Sequence, residues 1–284
     1  MPLLGLSAAF LFAAQMVNFP VVGGTSGHLV GGALVAVLLG PGAGVIVVAT
    51  VLIVQCFLFA DGGVTALGAN IFNMGLVATV GGGIVYRLVT RLLPGLRGRV
   101  AAMAFAGWCS IVLAAVSCAG QLAWSGTVAW HIAFPAMAGI HALIGLGEGM
   151  VSALVLLAIA RTRPDLLSEP SAPVAAPGAA PASLREFVVL GLLATFGIVL
   201  FIAPFASPWP DGLNAVAGQL GFAHKEGGPM LSTPTANYLM PGFASRGIAT
   251  AVAGAMGTLV AFGLAVVFSR IVVPGQASRA TDRT

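Results

Sequence analysis

The chain has 284 residues, of which 58% are hydrophobic and only 7% charged, with a net charge of +4. A soluble domain carries roughly 25% charge. The composition therefore excludes a soluble enzyme or nucleic-acid-binding module and points to an all-α integral membrane protein, a polytopic helical bundle. Thirty-nine glycines suit closely packed membrane helices, whose contacts favour small residues.

Apolar runs of about 17–25 residues mark spans. The first covers about 2–19. It has no positive n-region and no convincing cleavage site, so it reads as a retained span rather than a signal peptide. Next comes Pro20-Val-Val-Gly-Gly-Thr-Ser-Gly-His28-Leu-Val-Gly-Gly32, a polar and glycine-rich stretch between two apolar runs. Its glycines allow tight turns, and its neutral imidazole is a common transition-metal ligand. By itself it is equally a turn or a site. A short apolar run at about 29–40 ends at Gly40-Pro41-Gly42, and further spans follow at about 42–60, 67–90, 100–122 and 132–160.

Residues 161–184 form a Pro/Ala-rich linker, where dense proline prevents helix and sheet. Beyond it lie a span at about 186–205, a polar loop at 206–246 and a last span at about 247–273. The expected layout is thus about eight transmembrane helices: six in a domain of residues 1–160, then the linker, then two in an accessory domain of residues 185–284. Arg87, Arg91, Arg97 and Arg99 share one loop, Arg161, Arg163 and Arg185 flank the linker, and Arg270, Arg279 and Arg283 fall near the C-terminus. Eight alternating spans put all of these on one side, cytoplasmic by the positive-inside rule. The His28 stretch, Asp61 and the 206–246 loop then face outward, and both ends of the chain face the cytoplasm.

Polar residues inside apolar runs are costly and default to functional candidates. They are Gln15, Asn18, Gln55, Asp61, Asn70, Asn73, His141 and Glu148. Asn70 and Asn73, three apart, share a helix face, as do His141 and Glu148, seven apart. Asn70 and Asn73 either bond helices together or line a site. His141 and Glu148 are structural polar candidates, Glu148 hydrogen bonding backbone or pairing with a charge rather than ligating. Ala9 and Ala13 present a small-xxx-small face for close helix approach. Cys56, Cys109 and Cys118 lie in apolar runs without a Cys-x-x-Cys pair and read as small buried hydrophobes. No phosphate loop, nucleophile elbow or His-Glu-x-x-His motif occurs, so the reading is a non-enzyme that hydrolyses no nucleotide itself.

Three ordered segments carry a resemblance. Gln15-Met-Val-Asn-Phe-Pro-Val-Val-Gly-Gly-Thr-Ser-Gly-His28-Leu-Val-Gly-Gly, Asp61-Gly-Gly-Val-Thr-Ala-Leu-Gly-Ala-Asn-Ile-Phe-Asn-Met-Gly75 and Gly139-Ile-His-Ala-Leu-Ile-Gly-Leu-Gly-Glu-Gly149 resemble the substrate-binding membrane component of cobalt and nickel energy-coupling-factor transporters. The resemblance covers about residues 1–160. Ser207-Pro-Trp-Pro-Asp-Gly-Leu213 is similar to the small accessory component of the same systems, which some members carry as a fusion.

The resemblance implies ATP-driven uptake of Co²⁺ or Ni²⁺ through the cytoplasmic (inner or plasma) membrane of a bacterium. The partners it implies are the lipid bilayer, the divalent metal, a transmembrane coupling subunit and two cytoplasmic ATPase subunits, with no nucleic acid and no permanently bound cofactor. It makes His28 the metal ligand, with Asn18, Thr25, Ser26, Asn70 and Asn73 as candidates for holding the His28 loop. Ala9 and Ala13 become candidates for docking the coupling subunit. The family's other ligands come from an amino-terminal Met-His-Ile-Pro run. This chain begins Met1-Pro-Leu-Leu, so the expectation is a sequence that starts late and lacks the first helix. Two other readings stand beside this one: uptake of a vitamin or other organic solute, and a non-transporting assembly or regulatory subunit.

Overall fold

In the computed structural model, the described residues are 2–167, 183–225, 227 and 230–272. In chain order the elements are α1 (Pro2–Gln15), β1 (Phe19–Val21), β2 (Thr25–Gly27), α2 (Gly32–Leu39), α3 (Pro41–Phe59), α4 (Leu67–Asn70), a π-helical segment (Ile71–Val77), α5 (Ala78–Leu92), α6 (Gly95–Trp124) and α7 (Trp130–Thr162). A short 3₁₀ turn (Pro164–Leu167) follows, and then α8 (Leu184–Phe201), α9 (Gly212–Gln219) and α10 (Arg246–Val272). The protein is an all-helical, multi-pass membrane bundle.

Among the described residues, six helical stretches are long and apolar enough to cross a membrane: Pro41–Phe59, Leu67–Leu92, Gly95–Trp124, Trp130–Thr162, Leu184–Phe205 and Arg246–Ile271. The other two predicted spans are present but short. Helix α1 has 14 residues and α2 only 8, about 21 Å and 12 Å of rise against a hydrocarbon core of roughly 30 Å. The run predicted as one helix to about residue 19 stops at Gln15 for a local reason. Proline at 20 disfavours helical backbone at Phe19, so the chain leaves the helix and enters β1 instead. Helices α2 and α3 meet at Gly40, with Pro41 opening α3 at a position where its missing N–H is harmless.

Close contacts between helices organise the bundle. Helix α1 runs antiparallel to α10, with Gly5 against Phe262 and Val266, Phe12 over Gly257 and Met16 over Gly254. On another side Leu6 packs over Gly191 of α8. Phe12, Phe59, Val47, Val48, Val51, Ala253, Ala261 and Ala265 build one continuous core from α1, α3 and α10. Ala9 and Ala13 are both fully buried. Ala9 sits on the Gly5–Phe12–Met16 stripe that faces α10, so the chain's own last helix fills the small-residue face read from sequence as a docking surface. Helix α2 lies in a groove of α5, Ala33 on Gly82 and Ala36 on Gly83. Helices α6 and α7 approach backbone to backbone at Gly107 and Gly149. Lipid tails are as apolar as these side chains, so dispersion between well-fitted surfaces, rather than exclusion of water, holds such contacts.

The predicted linker falls mostly at residues 168–182, outside the described residues. Beyond it, α8 starts with a reciprocal cap: Glu186 N donates to Ser183 Oγ at 3.2 Å, and Ser183 N donates to Glu186 Oε2 at 2.8 Å. Helix α10 shares its core with α1 and α3, and α8 meets α1 at Leu6–Gly191 and α10 at Val199–Gly254. The arginine-rich end is fastened by Arg99, whose Nη1 donates to the Leu167 carbonyl at 3.1 Å, and by the Arg163–Asp165 ion pair at 2.6 Å.

A Cβ at position 257 would fall inside the Phe12 ring, whereas one at Gly263 of the same helix meets nothing within 4 Å. Gly257→Val is therefore expected to lower stability by roughly 1–3 kcal/mol, the range for overpacking. Gly263→Val, equal in composition, should leave the detergent-solubilised unfolding temperature unchanged. Equal effects from the two would refute this packing.

Candidate metal centre at the hairpin end

The segment leading to His28 is a two-stranded antiparallel hairpin, Phe19 opposite Gly27, Pro20 opposite Ser26 and Val21 opposite Thr25. Its turn passes through Gly23 and Gly24 at φ 94° and 75°, a conformation glycine adopts without steric penalty. Three residues per strand cannot stand alone in water. The hairpin is held from outside.

One hold comes from the accessory half. Ser26 N donates to the Pro210 carbonyl at 2.8 Å, Ser26 Oγ to the Trp209 carbonyl at 2.8 Å and Thr25 Oγ1 to the Pro210 carbonyl at 3.0 Å. At the other strand, Ser207 N donates to the Asn18 carbonyl at 2.8 Å. Thr25 and Ser26 are buried beneath this contact. Trp209 and Pro210 thus lie along β2 as an irregular third partner. Asp211 caps α9, accepting from Asn214 N at 2.8 Å, and Gly212 brings its backbone against the His141 ring and Ile144.

The second hold is on the exit from His28. Glu148, fully buried on α7, accepts from Val30 N at 2.6 Å (Oε2) and from Gly31 N at 2.8 Å (Oε1). Gln15 Nε2 donates to the Val30 carbonyl at 3.2 Å. Gly31 has φ 72° and lies so close to Leu11 that a Cβ would sit 2.5 Å from its Cδ1, so no other residue fits there without strain. A hydrogen bond to a charged group contributes roughly 1.5–3 kcal/mol. Two such bonds approach the several kcal/mol that desolvating a carboxylate costs.

Between these holds stands His28, half-buried, with Nδ1 3.3 Å from the Leu29 carbonyl. A carbonyl only accepts, so Nδ1 carries the proton of this contact and Nε2 keeps its lone pair for a ligand. His141 is arranged alike, its Nδ1 2.8 Å from the Met137 carbonyl. Ile144 packs on Gly27 of the hairpin, His141 lies against Gly212 and Glu148 holds the exit from His28, in keeping with their spacing on α7. Among the described residues, no three His, Cys, Asp or Glu side chains converge as a metal-holding group.

Asn70 and Asn73 do not share a face. The π-helical segment begins between them, and its wider turn breaks the three-residue alignment. Asn70 Nδ2 reaches the Gly62 carbonyl at 3.4 Å. Asn73 instead turns into the bundle, donating to Gln121 Oε1 at 2.9 Å and accepting from Gln121 Nε2 at 3.0 Å and Ser117 Oγ at 2.7 Å. Gln121 and Ser117 escaped the sequence reading. Their signal was present, two polar residues four apart on one face of an apolar helix.

The long loop has a second anchor at the same end. Tyr238 donates its hydroxyl to Asp61 Oδ2 at 2.6 Å and stacks on Phe59 with ring centroids 4.6 Å apart. Burial first, and then the Asp61 charge, push its phenol well above the ordinary value, so it remains a donor. Lys225 Nζ donates to the Thr127 carbonyl at 3.1 Å. The 206–246 loop therefore spans the hairpin end from the Thr25–Ser26 strand to the end of α3.

With this geometry in hand, comparison with known proteins is specific. The family described as "Cobalt uptake substrate-specific transmembrane region" (CbiM) matches residues 1–166. A protein of Archaeoglobus fulgidus, provisionally named a fused nickel transport protein (NikMN), is 37% identical over 270 residues, covering 94% of this chain and 85% of that one. The fused nickel transport protein NikMN of Rhodobacter capsulatus is 34% identical over 246 residues, 80% of this chain and 70% of its own. The cobalt transport protein CbiM of Geobacter sulfurreducens is 28% identical over 250 residues, 84% and 71% of the two chains. A crystal structure described as a truncated transition metal transporter superposes with a TM-score of 0.51 at 33% identity, over 56% of this chain and 80% of that one. The matches to the fused relatives extend through the accessory half, where Trp209 and Pro210 grip the hairpin. The chain is a member of the CbiM family of cobalt uptake substrate-specific transmembrane proteins, a transport component and not an enzyme.

Proposed function

We propose that this protein is the metal-capture component of an ATP-driven Co²⁺ or Ni²⁺ uptake system, taking the cation at the hairpin end through His28. The observation that carries this reading is the His28 segment itself. Its backbone is fastened on one side to Trp209 and Pro210 and on the other to Glu148, while Nε2 of the ring is left without a proton. Imidazole nitrogen suits both Co²⁺ and Ni²⁺. One imidazole is one donor, and the remaining donors come from outside the described side-chain clusters. The relatives' names, nickel transport and cobalt transport, support a divalent transition metal over an organic solute.

Placement in the membrane follows from charge. The arginine-rich end lies in the cytoplasm and the hairpin end outside, in a bacterial cytoplasmic membrane, with Pro2 and α10's C-terminal end on the cytoplasmic side. The sequence carries no nucleotide-binding motif, so energy comes from two cytoplasmic ATPase subunits acting through a transmembrane coupling subunit. Thr25, Ser26 and Asn18 hold the His28 loop through the accessory segment. Asn70 and Asn73 steady the neighbouring Gly62 loop and the α5–α6 contact. The accessory half serves to keep the hairpin closed. Ala9 and Ala13 are fully buried in the bundle, so docking of the coupling subunit belongs on surfaces the chain leaves open.

In cells expressing the protein from its natural locus with its partner subunits, His28→Ala should reduce radiolabelled Ni²⁺ or Co²⁺ uptake by more than about tenfold. Unchanged uptake with His28→Ala would refute the assignment. Gly212→Val tests the accessory grip, because a Cβ there would stand 2.8 Å from His141 and Ile144. It should displace the 207–213 segment, increase cysteine labelling of a Ser26→Cys reporter and lower uptake. Labelling and uptake equal to those of the parent would show that the segment does not hold the site.

A further inference from the structure

Among the described residues, Glu148 makes no ion pair or hydrogen bond to a cationic side chain. The salt bridge found among the described residues joins Arg163 to Asp165 at the other end of the bundle, and both Glu148 oxygens are occupied by the backbone N–H groups of Val30 and Gly31. Two converging N–H donors require two acceptor atoms. An ionised carboxylate accepts at both oxygens without a hydrogen of its own, whereas an amide would aim an N–H at one of the donors. The two N–H bonds thus favour the charged form, in a side chain with 0% exposure. Among the described residues, the ionised carboxylate is met by N–H dipoles at the amino end of α2, which would leave a net negative charge inside the bundle. It acts at residues two and three positions beyond His28.

We propose that Glu148 is the buried counter-charge of the metal site: its two backbone bonds position the His28 loop, and its uncompensated charge favours a divalent cation there over a neutral solute. The proposal rests on the metal-capture reading of His28. Buried charges are screened far less than exposed ones, so a cation arriving at His28 meets an attraction that needs no direct contact with Glu148. The same charge discriminates between ligand classes, because an uncharged molecule gains nothing from it.

The test is equilibrium Ni²⁺ binding to the purified protein, expressed from its natural locus, with the metal-induced rise in unfolding temperature measured alongside. Glu148→Gln should weaken Ni²⁺ binding on the order of tenfold to a hundredfold, the range for residues that orient a metal ligand, and shrink the metal-induced rise accordingly. A merely structural role would lower the metal-free unfolding temperature and leave that rise intact. Glu148→Asp, which keeps the charge on a shorter arm, should retain more affinity than Glu148→Gln. Wild-type affinity in Glu148→Gln, or equal losses in the two variants, would overturn the proposal. Loss of binding in His28→Ala together with wild-type binding in Glu148→Gln would remove the counter-charge and spare the site. Binding that survives His28→Ala would remove both. Should Glu148→Gln not fold, Glu148→Asp decides: affinity within about tenfold of wild type supports the proposal, and complete loss at a normal metal-free unfolding temperature overturns it.

Discussion

A single buried carboxylate fixes the geometry at the hairpin end. Glu148 ties the backbone of Val30 and Gly31 to α7, and through them it sets where α2 begins and how the chain leaves His28. Without that tie the exit would be a glycine-flanked loop with no regular structure between Gly27 and Gly32. Gly31 is forced by the same arrangement, since Leu11 closes off the space a side chain would need. Sequence, backbone conformation and site geometry are therefore linked at one point.

The bundle around this point obeys the constraint of a solvent without water. Apolar side chains gain little by leaving lipid for protein, so helices must fit closely to stay together. Phe12 on Gly257, Leu6 on Gly191 and the bare Gly107–Gly149 approach are instances. Because α10 and α8 make such contacts with α1, the accessory half is part of the bundle rather than an appended module. Its outer segment can then reach over and add Trp209 and Pro210 to the hairpin, a contact made across more than 180 residues of sequence.

Much of this was legible in the sequence, and the remainder has identifiable physical causes. The helical class, the polar stretch around His28, the common face of His141 and Glu148 and the break at Gly40-Pro41 all follow from local pattern. The hairpin does not, because three-residue strands carry no usable periodicity and owe their existence to Trp209 and Pro210. The length of α1 was overestimated since hydropathy ignores the restriction Pro20 places on Phe19. The faces of Asn70 and Asn73 were misjudged because a π-helical segment leaves no composition mark. Ala9 and Ala13 are buried in the bundle, and what covers a small-residue face is a property of the whole fold.

The picture that emerges is a metal-uptake component whose half-buried His28 sits on a backbone held by contacts from both halves of the chain. X-ray absorption spectroscopy of the Ni²⁺-loaded protein measures this directly. Outer-shell scattering from imidazole should be present in the wild type and weaker in His28→Ala. An unchanged imidazole signature in His28→Ala would mean that the metal sits elsewhere in the protein.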